Sequence, residues 1–258
     1  MILVQFLAVT LAICSRWQID AKAVASSPGL DFVPRPDPAD TDNTLIYYKS
    51  RDDASVLKWT SKIDEFLQPY NYTAQNARGP LNIIACSADA PIFGDRYCDV
   101  DLREFEPCTS ANKYNYDTYH RAQPCVFLKL DKLVNWIPNP YNTTEDVPTD
   151  MPDGLKQHID NVSGSKDANR VWVSCEGENP ADVEFIGPIK YLPTRGFPTY
   201  FFPYKNQEGY LSPLVAVQFE RPRKGIVINI KCTAWARNIL HDGTERRGSV
   251  HFELMIDE

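Results

Sequence analysis

The stretch VWVSCEGENPADVEFIGP, Val171 to Pro188, is the first place to look for chemistry. It sets one thiol, Cys175, within a few residues of four carboxylates, Glu176, Glu178, Asp182 and Glu184. A thiol beside acids is the material of a metal site, or of a nucleophile with its proton-handling helpers. The same residues also suit half of a disulfide followed by a solvated turn. Elsewhere the signals are thinner. His120, His158, His241 and His251 are scattered with no i,i+4 pair. No P-loop, G-x-G-x-x-G, H-E-x-x-H or G-x-S-x-G string occurs. His251 falls on the outward face of a strand, where an acid–base role needs a partner that the sequence does not name. Asp99/Asp101 and Glu104/Glu106 are sequence neighbours on a loop, whereas glycoside hydrolysis needs two carboxylates held apart across a cleft. No enzyme, metal or cofactor is therefore expected.

The elements that would position these groups read as mainly β. In IVINIKCTAWA, Ile226, Ile228, Ile230, Cys232 and Ala234 share a face, and Asn229, Lys231 and Thr233 point the other way. Val171, Val173 and Cys175 share a face in VWVSC, as do Val250, Phe252, Leu254 and Ile256 in SVHFELMI. Leu214 to Glu220 forms a fourth strand. Period-two alternation bounded by Gly and Pro predicts antiparallel sheets with one wet face. Cys175 and Cys232 both point inward, which suits a staple between the sheets of a β-sandwich, with Trp235 in that core. Gly177 and the Asn179–Pro180 step place the acids in a solvated turn. One amphipathic helix is expected from Val56, Trp59, Ile63, Phe66 and Leu67, capped by Asp53 or Ser55 and stopped by Pro69. Val126 to Pro138 reads as a strand running into a short helix. The aromatic string YFFPY, Tyr200 to Tyr204, serves either packing around Pro203 or an interface.

Composition sets the compartment. The chain has 258 residues, 20 of them proline, and a net charge of −7. Proline above the usual share of about 5 % implies many loops and edges, and the acidic balance excludes a nucleic-acid partner. Beyond Cys14, six cysteines remain, Cys86, Cys98, Cys108, Cys125, Cys175 and Cys232. An even set suits a disulfide framework, although six allow fifteen connectivities; short intervening stretches favour local bridges for the first four. Three N-x-S/T sequons, at Asn71, Asn142 and Asn161, join them. Together they point to the secretory pathway and N-linked glycans. The apolar run MILVQFLAVTLAIC is too short, at about 1.5 Å per residue, to cross about 30 Å of hydrocarbon. It reads as a signal-peptide core with a small-x-small site at Ala21–Ala23, or as a shortened membrane span. The expected division is residues 1–25 as this segment, 26–50 as an extended connector rich in Pro, Asp and Ser, and 51–258 as the extracellular domain.

The strings SSPGLDFVPRP, QPCVFLKL, VWVSCEGENPAD, GFPTYFFPYKNQEGYLSPLVAVQF and GSVHFELMI, in that order from about Arg16 to Met255, resemble the beta subunits of the sodium/potassium-transporting ATPase and their gastric proton/potassium relatives. The resemblance implies an immunoglobulin-like antiparallel β-sandwich at the extracellular side of the plasma membrane, in a noncatalytic glycoprotein that pairs with the P-type ATPase alpha subunit. It implies support of alpha folding, membrane delivery and sodium/potassium transport. It also implies bridges Cys86–Cys98, Cys108–Cys125 and Cys175–Cys232. By the same resemblance, alpha is contacted through Tyr200, Phe201, Phe202, Pro203 and Tyr204, and through Leu214, Val215, Ala216, Val217, Gln218 and Phe219. Where the family carries a cytoplasmic tail and a full span, this sequence has fourteen mostly apolar residues. Membrane association is then expected through the partner or through that shortened segment, and secretion follows if the segment is cleaved. The alternative is an adhesion or ligand-binding glycoprotein without a pump partner.

Overall fold

The computed structural model describes residues 27–36, 43–71, 74–75, 82–92, 94, 96–241 and 247–258. The N-terminal apolar run and its small-x-small site lie outside the described residues. Period-two alternation builds two sheets. One is ordered β1 (Leu30–Val33), β5 (Cys125–Leu130), β9 (Leu214–Phe219), β7 (Ile189–Leu192). The other is ordered β2 (Leu45–Lys49), β11 (Ser249–Asp257), β10 (Val227–Trp235), β6 (Arg170–Gly177), β8 (Gly196–Pro198). A two-strand pair, β3 (Ile83–Ile84) with β4 (Tyr97–Cys98), stands apart. The two large sheets meet through their inward faces, where Phe32 of β1 stacks on Phe252 of β11 at 4.9 Å and Phe219 of β9 meets the same ring edge-on at 6.1 Å. Fully burying a side chain of this size contributes about 1.5–3 kcal/mol, so these rings, with the rest of the buried inter-sheet core, hold the sandwich together.

The expected mainly-β sandwich is present, with four departures. Residues 26–50 are no mere connector: β1 pairs with β5 and β2 pairs with β11, giving each sheet an edge strand. The β2–β11 pair is parallel in an otherwise antiparallel sheet. Cys175 and Cys232 lie opposite each other on neighbouring strands of one sheet, so their bridge crosses strands and not sheets. Alternation told which way each sulfur points but not which strand lies beside it. Trp235 is an odd number of positions from Cys232 and therefore faces the other way.

That other face is wet only in part: Lys231 and Glu176 are exposed on it, while its Trp172–Trp235 end is covered. Helix α2 (Asp153–Val162) covers that end, burying Leu155 and Ile159 with Trp172, Trp235, Tyr141 and Met151 in a second core. Trp172 donates its indole N–H to the Tyr141 carbonyl at 2.7 Å, and Trp235 donates to Ser174 Oγ at 2.8 Å. Burial of these polar atoms is therefore matched by hydrogen bonds, as a low-dielectric layer requires.

Helix α1 (Asp53–Leu67) arises as its 3.6 spacing dictates, with Val56, Trp59, Ile63 and Leu67 buried. Its cap is Asp52, one residue earlier than expected, which accepts from the Ala54 N–H at 3.0 Å; Ser55 accepts from the Lys49 N–H instead. Trp59 donates to the Tyr47 carbonyl at 2.8 Å and so ties the helix to β2. Pro69 turns the end into a 3-10 segment, Gln68–Tyr70. No helix follows β5: Leu133 to Ile137 is irregular chain, with Val134 bridged to Tyr204. Among the described residues no helix is long and apolar enough to cross a membrane.

Candidate interaction surface

The acids of the opening stretch separate on folding. Helix α3 (Pro180–Phe185) begins there, because Asn179 accepts from the Ala181 and Asp182 N–H groups at 3.1 Å each and Pro180 suits the first turn. Gly177 permits the close approach: a Cβ there would lie 2.3 Å from the Val183 nitrogen. Asp182 is only 3 % exposed and accepts from Asn229 Nδ2 at 3.1 Å and from Asn179. The expected solvated turn is thus a buried carboxylate knot for that one acid, while Glu176, Glu178 and Glu184 remain exposed. Cys175 is spent in the bridge to Cys232, and the other cysteines pair as Cys86–Cys98 and Cys108–Cys125. Among the described residues no group of three His, Cys, Asp or Glu side chains is placed to hold a metal.

The histidines and two of the loop acids, Asp101 and Glu106, have local partners. His120 Nδ1 lies 2.6 Å from Asp117, His158 meets Trp172 edge-on, and His241 Nε2 is 2.8 Å from the Ala234 carbonyl. Asp101 chelates Arg103, and Glu106 accepts from Asn112 and Thr109. His251 has the partners that the sequence could not name. Its Nδ1 is 2.8 Å from Glu178 and its Nε2 2.9 Å from Glu253, whose other oxygen accepts from Thr44 Oγ1 at 2.7 Å. Lys231 stands across from it on β10, with Glu176 beyond.

Partial burial works against charge on His251, but the hydrogen bonds to Glu253 and Glu178 outweigh it and raise its pKa. Burial likewise works against ionisation of Glu253, yet Thr44 and His251 hold its carboxyl below the usual value. The imidazolium's contribution is complete below an unfolded pKa of about 6.5 and is lost as pH rises through the higher folded value. His251→Gln is expected to cost about 1 kcal/mol near pH 6 and clearly less near pH 9, read from urea unfolding of the full chain. Equal losses at both pH values would mean that the imidazole charge contributes nothing.

The aromatic string forms the most distinctive surface. After β8 the chain makes a 3-10 turn, Thr199–Phe201, and presents Phe202, Pro203 and Tyr204 half-buried. Tyr200 stacks on the buried Phe201 at 5.2 Å, Phe202 meets Trp136 edge-on at 5.4 Å, and Tyr204 lies 4.8 Å from Tyr210. Lys132 Nζ sits 5.5 Å from the Tyr204 ring centre and donates to the Tyr210 carbonyl at 3.0 Å. Asn135 N–H donates to the Tyr204 carbonyl at 2.8 Å, fixing the neighbouring irregular chain, whose Val134 and Ile137 are 52 % and 64 % exposed. Apolar side chains left in water beside a rigid aromatic set are a typical interface core. Three buried polar atoms around this segment, Trp136 Nε1, Tyr97 OH and Gln207 Nε2, have no hydrogen-bond partner among the described residues. Tyr97 OH lies against Gly209, where a Cβ would come within 2.6 Å of it.

Strand β9 behaves differently. Leu214, Val215, Ala216, Val217, Gln218 and Phe219 are all buried between β5 and β7. It offers no exposed side chain to a partner. Sequence reasoning missed Lys132, Val134, Trp136, Ile137 and Tyr210. The available signal is the apolar, non-periodic LVNWIP run, where the expected short helix is absent.

Asn71, Asn142 and Asn161 are all exposed. Residues 1–252 match the family model described as sodium/potassium ATPase beta chain. The chain is 48 % identical to the Drosophila melanogaster sodium/potassium-transporting ATPase subunit beta-2, over 94 % of this chain and 75 % of that one. It is 38 % identical to subunit beta-1 of the same organism over the same shares. It is 24 % identical to the human subunit beta-2, over 90 % of this chain and 73 % of that protein.

Proposed function

The chain belongs to the sodium/potassium ATPase beta-chain family, and from this we propose that it is a noncatalytic subunit binding the alpha subunit of a P-type cation pump. Its contribution is folding, membrane delivery and adjustment of transport. Such adjustment requires unequal affinity for the pump's conformational states, since a subunit that binds all states equally shifts none of them. The working side is extracellular, a reading supported by three disulfides and three exposed sequon asparagines.

The observation that carries the contact is the aromatic platform of Tyr200, Phe202, Pro203 and Tyr204, edged by exposed Val134 and Ile137. Phe201 and β9 lie behind it as support. Buried aromatic anchors account for most of the energy in interfaces of this kind. Tyr204→Ala is therefore expected to weaken co-purification with alpha by roughly 30-fold, the effect of about 2 kcal/mol at an interface anchor. Disulfide formation and passage through the secretory pathway should persist, since the Tyr204 ring is half-exposed. Unchanged co-purification would remove this platform as the contact. Failure of the unaltered chain to capture any alpha subunit would favour a free adhesion glycoprotein.

A further inference from the structure

We propose that an N-glycan on Asn71 folds back into the cleft beside it, so that its first sugars form part of the protein surface. Two clefts, of about 700 and 790 Å³, flank the C-terminal turn of α1, and Asn71, Leu102 and Arg103 line both. Asn71 therefore stands on the saddle between them. The larger cleft has an apolar floor that includes Leu67, Phe105 and Phe127, with Gln68, Arg103 and Glu106 among its polar groups. Apolar clefts of about 300–1,000 Å³ with a few placed polar groups are the usual form of a small-ligand site. Pyranose rings match this chemistry, offering C–H faces to the floor and hydroxyl and acetamido groups to the rim.

The tether decides the occupant. Asn71 begins a sequon, is exposed, and has extended backbone at φ −65°, ψ 140°. Its carbonyl accepts from the Gln75 N–H at 2.9 Å. Buried Gln75 is itself fixed, donating to the Tyr70 and Val100 carbonyls at 2.6 and 2.9 Å. The Asn71 backbone is thus tied through Gln75 to the 99–103 segment, of which Leu102 and Arg103 wall both clefts. A sugar attached there enters at high effective concentration, so contacts too weak to hold a free saccharide suffice. Asn142 and Asn161 line neither cleft.

The test is site-resolved release of N-glycans from the folded full chain, made in eukaryotic cells, by a peptide-N-glycosidase, followed by mass spectrometry. Release at Asn71 should be about ten-fold slower than at Asn142 and Asn161, a factor equivalent to about 1.4 kcal/mol of seating. Unfolding the chain should equalise the rates. Arg103→Ala, whose side chain is 90 % exposed and so removable without harm to the fold, should speed release at Asn71 alone, and Leu102→Ser should do so further. Equal rates on the folded chain would overturn the proposal. So would slow release that neither variant changes, or Asn71 found without glycan. None of these outcomes depends on binding to an alpha subunit.

Discussion

Trp172→Ala is expected to lower the unfolding free energy by about 3–5 kcal/mol, the range for a buried tryptophan cut to a methyl. Trp172 is fully buried between the five-stranded sheet and α2, touches His158 edge-on, and satisfies the Tyr141 carbonyl. Its removal leaves a large void and an acceptor without its donor, two costs that add. In a chain of this size each kcal/mol lowers the melting temperature by about 2–4 °C, so calorimetry should show a drop of at least about 6 °C. A drop below about 2 °C would mean that α2 and the second core unfold independently of the sandwich. Leu155→Ala, on the facing helix, should follow the same pattern at about 2–5 kcal/mol.

Removing the Cys175–Cys232 bridge, as C175A/C232A, is expected to cost roughly 4 kcal/mol. The bridge closes 57 residues, and the chain-entropy account makes that larger than the roughly 3 kcal/mol expected for the 12-residue Cys86–Cys98 loop. Because the two cysteines are in-register neighbours on β6 and β10, the strands keep their ladder without the bond. The loss should therefore appear in stability and not in the folded architecture: unchanged circular dichroism at 20 °C with a lower urea midpoint. If C86A/C98A proves the more damaging pair, restriction of the unfolded chain is not what these bridges mainly provide.

Much of the framework was legible because it rests on local periodicity. The four long strands and α1 came directly from alternation and from the spacing Val56, Trp59, Ile63, Leu67. What stayed hidden depends on neighbours distant in sequence. Helix α2 has only Leu155, Ile159 and Val162 as apolar residues, and their meaning appears once Trp172 and Trp235 lie beneath them. Asp182 looked solvated because nothing in its own loop signals Asn229, which lies 47 residues away. His251 lacked partners for the same reason: Glu178 is separated from it by 73 residues. The aromatic string was visible as a string, but its supporting wall, Lys132 to Ile137 and Tyr210, came from a run without period.

The parallel pairing of β2 with β11 has a consequence in time. Thr44 and Glu253, which are joined by a hydrogen bond at the head of that pair, stand 209 residues apart. At about 5–20 residues per second on the ribosome, the N-terminal strand waits roughly 10–40 s after its own synthesis before its companion exists. Throughout that interval it exposes an open, hydrogen-bond-hungry border of the kind that invites wrong partners. Chaperones that mask strand borders should therefore be found on nascent chains once β2 has emerged from the ribosome and depart only after the β11 segment has been translated.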